Sequence, residues 1–119
     1  MSAANNTGFP AIIGTQQDKS SVRLVLKIDP ELHWFEGHFP GNPVLPGIVQ
    51  LHWAATVAVE YLGFKGVPAE IKRLKFKKIV VPPNELQLIV TKHGAAEAQF
   101  EFLSGGEQCS LGRLVFTED

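Results

Sequence analysis

Two histidines and a predicted helix start carry the residue types best suited to acid–base chemistry. His38 stands in the sequence GHFP, and His52 follows it further along the chain. An imidazole exchanges protons near neutral pH, so either residue can serve as a general acid or base. Pro46 and Gly47 lie between the two histidines. They predict the first turn of a helix, where the N–H group that proline lacks would have no partner.

A helix that starts at Gly47 would polarise a carbonyl group. The N–H groups of a first helical turn have no partner within the helix and donate to a negative or polarised oxygen. Glycine at this position lets a ligand approach the backbone closely. If the carbonyl belongs to a thioester, its α-carbon becomes acidic, and a nearby imidazole can remove the α-proton. With a second group to protonate a departing β-hydroxyl, these residues predict an acid–base enzyme with its site near residues 33–52.

Each of these residues also has a structural interpretation. His38 can stabilise an aromatic loop, His52 can be a buried histidine that bonds to a neighbouring carbonyl, and Gly47 can simply permit close packing. Residue types and spacing leave both interpretations open. A metal site is disfavoured because His33 and the other two histidines lack the close spacing of zinc ligands, and Cys109 is far away in sequence.

The predicted elements place these residues on a loop and on a helix. Val22–Ile28 alternates between apolar and polar residues and predicts a half-buried strand. Residues 32–46 contain too many glycines and prolines for a regular element, and their aromatic residues predict a packed loop. Pro46–Leu62 is apolar on almost every side and predicts a buried helix that ends before Gly63. Its polar stripe comprises His52, Thr56 and Glu60.

The chain from Ala69 onward predicts a run of antiparallel strands. Leu74 and Phe76 share one face of the first strand, and a change of phase at Ile79 indicates a bulge. The sequence SGGE at residues 104–107 predicts a hairpin. Together the elements predict an α+β fold, with a curved antiparallel sheet wrapped around one long central helix. We expect a single domain over residues 1–119, with residues 1–8 flexible, and a small open-edged sheet that favours dimers.

Composition and charge exclude several classes of protein. The chain has 119 residues, of which 45% are hydrophobic and 19% charged, as in globular domains. Eleven basic residues nearly cancel twelve acidic ones, which argues against a nucleic-acid binder. No apolar run reaches the roughly 18–20 residues that a membrane span needs. The first residues lack the pattern of a signal peptide, and the single cysteine cannot form an internal disulfide, so we expect a cytoplasmic protein.

Basic residues are concentrated in one segment, residues 65–78, where the only acidic residue is Glu70. One interpretation is a solvated strand face. The other is a docking face for an acidic carrier protein, which charge attraction would steer into place. The basic residues of the segment are Lys65, Lys72, Arg73, Lys75, Lys77 and Lys78.

The stretch GHFPGNPVLPG at residues 37–47 resembles the signature of the hotdog-fold 3-hydroxyacyl-acyl-carrier-protein dehydratases. Pro82, within FKKIVVPPNELQLIV, resembles a later segment of that family. The resemblance implies reversible dehydration of a 3-hydroxyacyl thioester to the trans-2-enoyl thioester. It implies His38 as the catalytic base and Gly47 as the amide that holds the thioester carbonyl, with Phe39 and Pro46 also contacting substrate.

The family resemblance also implies partners. Each active site would be built across a dimer interface, in a homodimer, a higher even oligomer or a heterodimer with a related dehydratase. The substrate would arrive on the phosphopantetheine of acyl carrier protein, without a metal or organic cofactor. The basic strand then becomes the predicted carrier-docking face, through Lys72, Arg73, Lys75 and Lys77.

Two positions depart from the family pattern. His52 occupies the helix position where the family has Glu or Asp, so it is the predicted partner of the catalytic base, or else activity is lost or altered. Trp53 replaces a small residue, and the sequence QLHW resembles the dehydratase-like proteins of aryl-polyene clusters. The alternatives are a non-catalytic thioester-binding subunit and a hotdog thioesterase. The thioesterase is disfavoured because Glu60 lies about two turns beyond His52.

Overall fold

The computed structural model describes residues 9–29, 44–82 and 84–117. Within these ranges the chain forms one helix and a six-stranded antiparallel sheet of strand order β1-β2-β4-β5-β6-β3. The elements are β1 (Ala11–Gln17), β2 (Ser21–Ile28), α1 (Gly47–Leu62), β3 (Pro68–Phe76), β4 (Asn84–His93), β5 (Glu97–Ser104) and β6 (Glu107–Phe116). The predicted α+β class is confirmed. The predictions for residues 1–8 and for His38 and Phe39 lie outside the described residues.

The helix α1 ends at Leu62 as predicted and begins at Gly47, one residue after the predicted start. Pro46 is the N-cap in an extended conformation, and Gly63 ends the helix with a φ of 81° and an N–H donated to the carbonyl of Ala58. Its 16 residues span about 24 Å. The expectation of a helix buried on every side is wrong for the single chain, because the sheet covers only one side and leaves Ile48 73% exposed.

The core lies between α1 and the facing side of the sheet. Alternate residues of β2 are fully buried, as predicted, and they pair across the ladder with alternate residues of β4, for example Leu24 with Leu88. Phe100 and Phe102 of β5 complete this layer with their ring centroids 6.0 Å apart. No helix in the described ranges is long and apolar enough to cross a membrane.

Among the described strands, the edge strand β3 pairs only with β6, and it is exposed along nearly its whole length. A bulge lies between Lys72 and Lys75, where Arg73 takes a φ of 55°. The bulge predicted near Ile79 is therefore misplaced. The paired residues of β3 end at Phe76, and beyond it the N–H groups of Lys77 and Lys78 both donate to the carbonyl of Cys109 on β6.

Candidate active site

The first turn of α1 presents free backbone donors. The carbonyl of Pro46 accepts from the N–H groups of Val49 and Gln50, at 3.1 and 3.2 Å. The N–H groups of Gly47 and Ile48 have no acceptor among the described residues, as expected of a first helical turn. These N–H groups are the donors that the sequence assigns to a polarised carbonyl oxygen.

Gly47 packs against an aromatic ring. A Cβ atom added to Gly47 would lie 2.7 Å from Cζ of Phe76, closer than carbon atoms pack. The close-packing interpretation of this glycine is therefore supported by the structure. The sequence did not reveal this role of Phe76, because the contact joins two residues far apart in the chain.

A cavity of about 510 Å³ adjoins this helix start. Pro46, Gly47 and Phe76 border it, together with Ile79 and the neighbouring side chains of residues 44 and 45. Leu45 is fixed at its rim because its N–H donates to the carbonyl of Val80 at 2.8 Å. A largely apolar cavity with a few directed donors is typical of a small-molecule site.

A buried pair of polar side chains connects α1 with β6 near this cavity. Gln50 and Ser110 are the buried polar side chains of the described ranges, and the Ser110 hydroxyl donates to Gln50 Oε1 at 2.8 Å. Gln50 Nε2 donates to the carbonyl of Leu45 at 3.4 Å. The sequence marks Gln50 only as a polar interruption of an apolar helix, since its partner lies 60 positions away.

His52 lies on a different side of the helix from this cavity. Its side chain is exposed, so the interpretation of a buried histidine is wrong for the single chain. It borders a second cavity of about 390 Å³ with Thr56 and Glu60, which confirms that the three form one stripe. Within one chain, the structure does not bring His52 and Gly47 into one cavity.

Trp53 is fully buried and forms the floor of this second cavity. Its ring meets that of Phe9 edge to face, with centroids 5.8 Å apart. The indole Nε1 is the buried side-chain nitrogen or oxygen without a hydrogen-bond partner in the described part of the chain. A buried N–H group without a partner typically costs about 1–3 kcal/mol.

Two of the predicted docking residues lie on the outer face of the sheet. Lys72 and Lys75 pair with Arg113 and Leu111 of β6, which places them on the sheet face opposite α1. Lys72 also forms a 3.5 Å ion pair with Glu97.

Lys77 and Lys78 border the cavity at the helix start. Lys77 Nζ donates to Gln108 at 2.6 Å. Lys78 pairs with Glu107, whose hydrogen bond and charge raise the pKa of Lys78. Within the described ranges, no group of three or more His, Cys, Asp or Glu residues could hold a metal ion.

Several known proteins have a similar fold. The described fold is similar to that of the dehydratase heterocomplex ApeI:P from Xenorhabdus doucetiae, with a TM-score of 0.82 and 29% identity over 89% of this chain and 96% of that chain. The PaaI protein from the phenylacetic acid degradation operon of E. coli has a TM-score of 0.66 at 16% identity, over 93% of this chain and 83% of that chain, which shows the fold alone. The architecture is that of the hotdog fold.

Sequence comparison identifies the family. The ApeI-like family model, described as ApeI dehydratase, matches residues 14–113, so the chain belongs to the ApeI-like dehydratases. The 3-hydroxyacyl-[acyl-carrier-protein] dehydratase FabZ of Alkaliphilus metalliredigens is 32% identical over 70% of this chain and 64% of its own length. FabZ of Thermoanaerobacter sp. is 30% identical over 88% and 81%. The predicted family is confirmed, although the chain spans just under two thirds of several of these relatives.

Proposed function

We propose that this protein dehydrates 3-hydroxyacyl thioesters on acyl carrier protein to trans-2-enoyl thioesters. The observation that carries the proposal is the helix start at Gly47, whose N–H group has no acceptor among the described residues and borders a largely apolar cavity in a chain of the dehydratase family. A thioester carbonyl that accepts from this N–H would have an acidified α-carbon. Pro46 and Phe39 are proposed to contact the same substrate.

The proposed reaction uses two histidines. His38 removes the α-proton, and the electron pair of the broken C–H bond forms the new double bond as the bond from the β-carbon to its hydroxyl breaks. His52 donates a proton to the departing hydroxyl, which leaves as water. His38 then releases its proton to solvent and His52 takes one up, so both residues return to their starting states and no oxidant, reductant or metal enters the balance. The substrate would be held on the phosphopantetheine of the carrier.

This chemistry requires a second chain. His52 and Gly47 border separate cavities within one chain, and the apolar side chains of Ile48, Leu74 and Phe76 remain substantially exposed. We propose a homodimer, a higher even oligomer or a heterodimer with a related dehydratase. In this assembly, the curved sheet and the partner chain would together enclose the helix. The heterocomplex seen for the Xenorhabdus neighbour supports the heterodimeric form.

The carrier would dock through the basic residues of β3 and the segment after it. The proposed set is Lys72, Arg73, Lys75 and Lys77, of which Lys77 borders the cavity at the helix start. Charge attraction would speed the association of an acidic carrier with this patch, and the association rate would fall as the salt concentration rises. A role in fatty-acid or aryl-polyene biosynthesis and a cytoplasmic location remain predictions.

A second candidate is a non-catalytic thioester-binding partner of an active dehydratase. The observation that favours it is the exposed His52 at the position of the family carboxylate, together with the heterocomplex neighbour. In that case the helix start would bind the thioester without turnover. The partner would supply the complete set of acid–base residues.

Mass spectrometry of 3-hydroxyacyl carrier-protein thioesters distinguishes the two candidates. We expect loss of one water from the acyl group with the wild-type protein, and no loss with the His38→Ala variant in a folded protein of unchanged assembly. Unchanged turnover in that variant would refute the proposed mechanism. A folded wild-type protein that removes no water from any chain length would favour the non-catalytic subunit, and release of free acid would indicate a thioesterase.

A further inference from the structure

The amide of Gln50 has more hydrogen-bonding capacity than the described protein uses. A primary amide carries two N–H donors and a carbonyl oxygen. Leu45 offers only a carbonyl oxygen, so the nitrogen of the amide must face Leu45, and the oxygen then faces the Ser110 hydroxyl. The second N–H of Gln50 therefore has no acceptor among the described residues, although the side chain is only 3% exposed.

Gln50 borders the cavity at the helix start. Lys77 and Lys78 also line that wall, and their ammonium groups donate to Gln108 and pair with Glu107, both on β6. Among the described residues, the Gln50 amide is the buried side-chain donor that borders this largely apolar cavity. A buried donor without an acceptor costs free energy, and a bound carbonyl oxygen would recover it.

We propose that Gln50 binds substrate, donating its second amide N–H to the thioester carbonyl oxygen that the helix start also holds. The amide is held in place from two sides, by Ser110 and by the carbonyl of Leu45. Helical side chains lean toward the N-terminus, which carries the Gln50 amide toward the first turn of α1. The inference rests on the proposed function for the identity of the ligand, but it assigns a donor that the family resemblance does not.

The chain offers matched variants that separate substrate binding from structural support. Gln50→Met keeps the volume of the side chain and removes both donors and the acceptor. Gln50→Glu keeps the acceptor for Ser110 and removes the donors. Ser110→Ala is the control, because it removes the same internal hydrogen bond and leaves the Gln50 N–H groups in place. If Gln50 only supports the fold, the losses in activity must follow the losses in thermal stability across all three variants.

Two measurements are made on each variant in its native assembly. The first is kcat/KM for a 3-hydroxydecanoyl carrier-protein thioester. The second is the infrared carbonyl band of bound decanoyl N-acetylcysteamine thioester, isotope-labelled at its carbonyl carbon. This thioester has no 3-hydroxyl group and cannot be dehydrated, so loss of a hydrogen bond to its carbonyl raises the frequency of the band independently of turnover. We expect both Gln50 variants to raise it and to lower kcat/KM about tenfold relative to Ser110→Ala, as loss of one hydrogen bond predicts.

The outcomes separate this inference from the proposed reaction. If the wild type removes no water but the band rises in both Gln50 variants, the dehydratase proposal fails and the role of Gln50 in binding stands. If the wild type turns over and the Gln50 variants match Ser110→Ala in both measurements, the inference is overturned while the dehydratase proposal stands. A thioester that does not bind the wild-type protein also overturns the inference.

Discussion

Replacing Gly47 by alanine tests the contact between the helix start and Phe76. The new Cβ would lie 2.7 Å from Cζ and 3.0 Å from Cε1 of the ring, against about 3.5–4.0 Å for an ordinary carbon contact. Overpacking of this kind typically costs about 1–3 kcal/mol. Because Phe76 is 50% exposed, the ring can move toward solvent, so we expect a cost near 1 kcal/mol.

The single variant underestimates this clash. Alanine is a better helix former than glycine by about 1 kcal/mol in a helix interior, and part of that gain offsets the clash at Gly47. A double-mutant cycle isolates the contact. We expect Gly47→Ala to destabilise the wild-type background, and to be neutral or stabilising in the Phe76→Ala background. The coupling should be at least about 1 kcal/mol, read from urea unfolding of the four proteins.

Turnover of the same four proteins tests the role of the amide. The added methyl group remains beside the Gly47 N–H even after the ring of Phe76 is removed. We therefore expect Gly47→Ala to lower kcat/KM in both backgrounds, whereas Phe76→Ala should recover stability only. Effects on stability that add within about 0.5 kcal/mol would refute the close contact. Full activity of Gly47→Ala would refute the assignment of this amide to the carbonyl.

Three further predictions concern residues away from this contact. His52→Ala should lower kcat about 100-fold, as loss of an acid–base group predicts, and His52→Glu should retain more activity. A fully active His52→Ala variant would contradict the role of His52 as a proton donor. The N–H groups of Ser20 and Ser21 lower the pKa of Asp18, so its stabilising effect is present above the unfolded pKa of about 4 and is lost as pH falls through the lower folded value. Unfolding of wild type and Asp18→Asn should thus differ at pH 7 and converge in acid, and a constant difference would contradict this. Burial raises the pKa of Cys109, so a maleimide should label it slowly in the folded protein and rapidly in urea; equal rates would argue against the buried position.

The sequence predicted those features that local patterns determine. The alternation in β2 identified its buried face, and Pro46 and Gly63 marked the ends of α1, because proline and glycine restrict the backbone whatever surrounds them. The bulge of β3 was misplaced because its position depends on how β3 pairs with β6, a strand distant in sequence.

The arrangement of the site could be predicted only in part. Gly47 and His52 are five positions apart on a helix, which places them about 140° apart around its axis. This spacing alone indicates that Gly47 and His52 of one chain cannot point into the same site. Neither residue indicates this when it is considered singly. The bond between Gln50 and Ser110 could not be predicted, because it depends on how β6 lies against α1.

The bulge at Arg73 affects how the open edge of the sheet behaves toward other chains. A long, flat, exposed edge strand is a template for uncontrolled strand addition and fibre growth. In β3 the ladder is broken between Lys72 and Lys75, and these two side chains bring positive charge to the edge. An incoming strand could therefore pair only over short stretches on either side of the break. Such an edge can bind one partner strand in a defined register, and it resists open-ended aggregation.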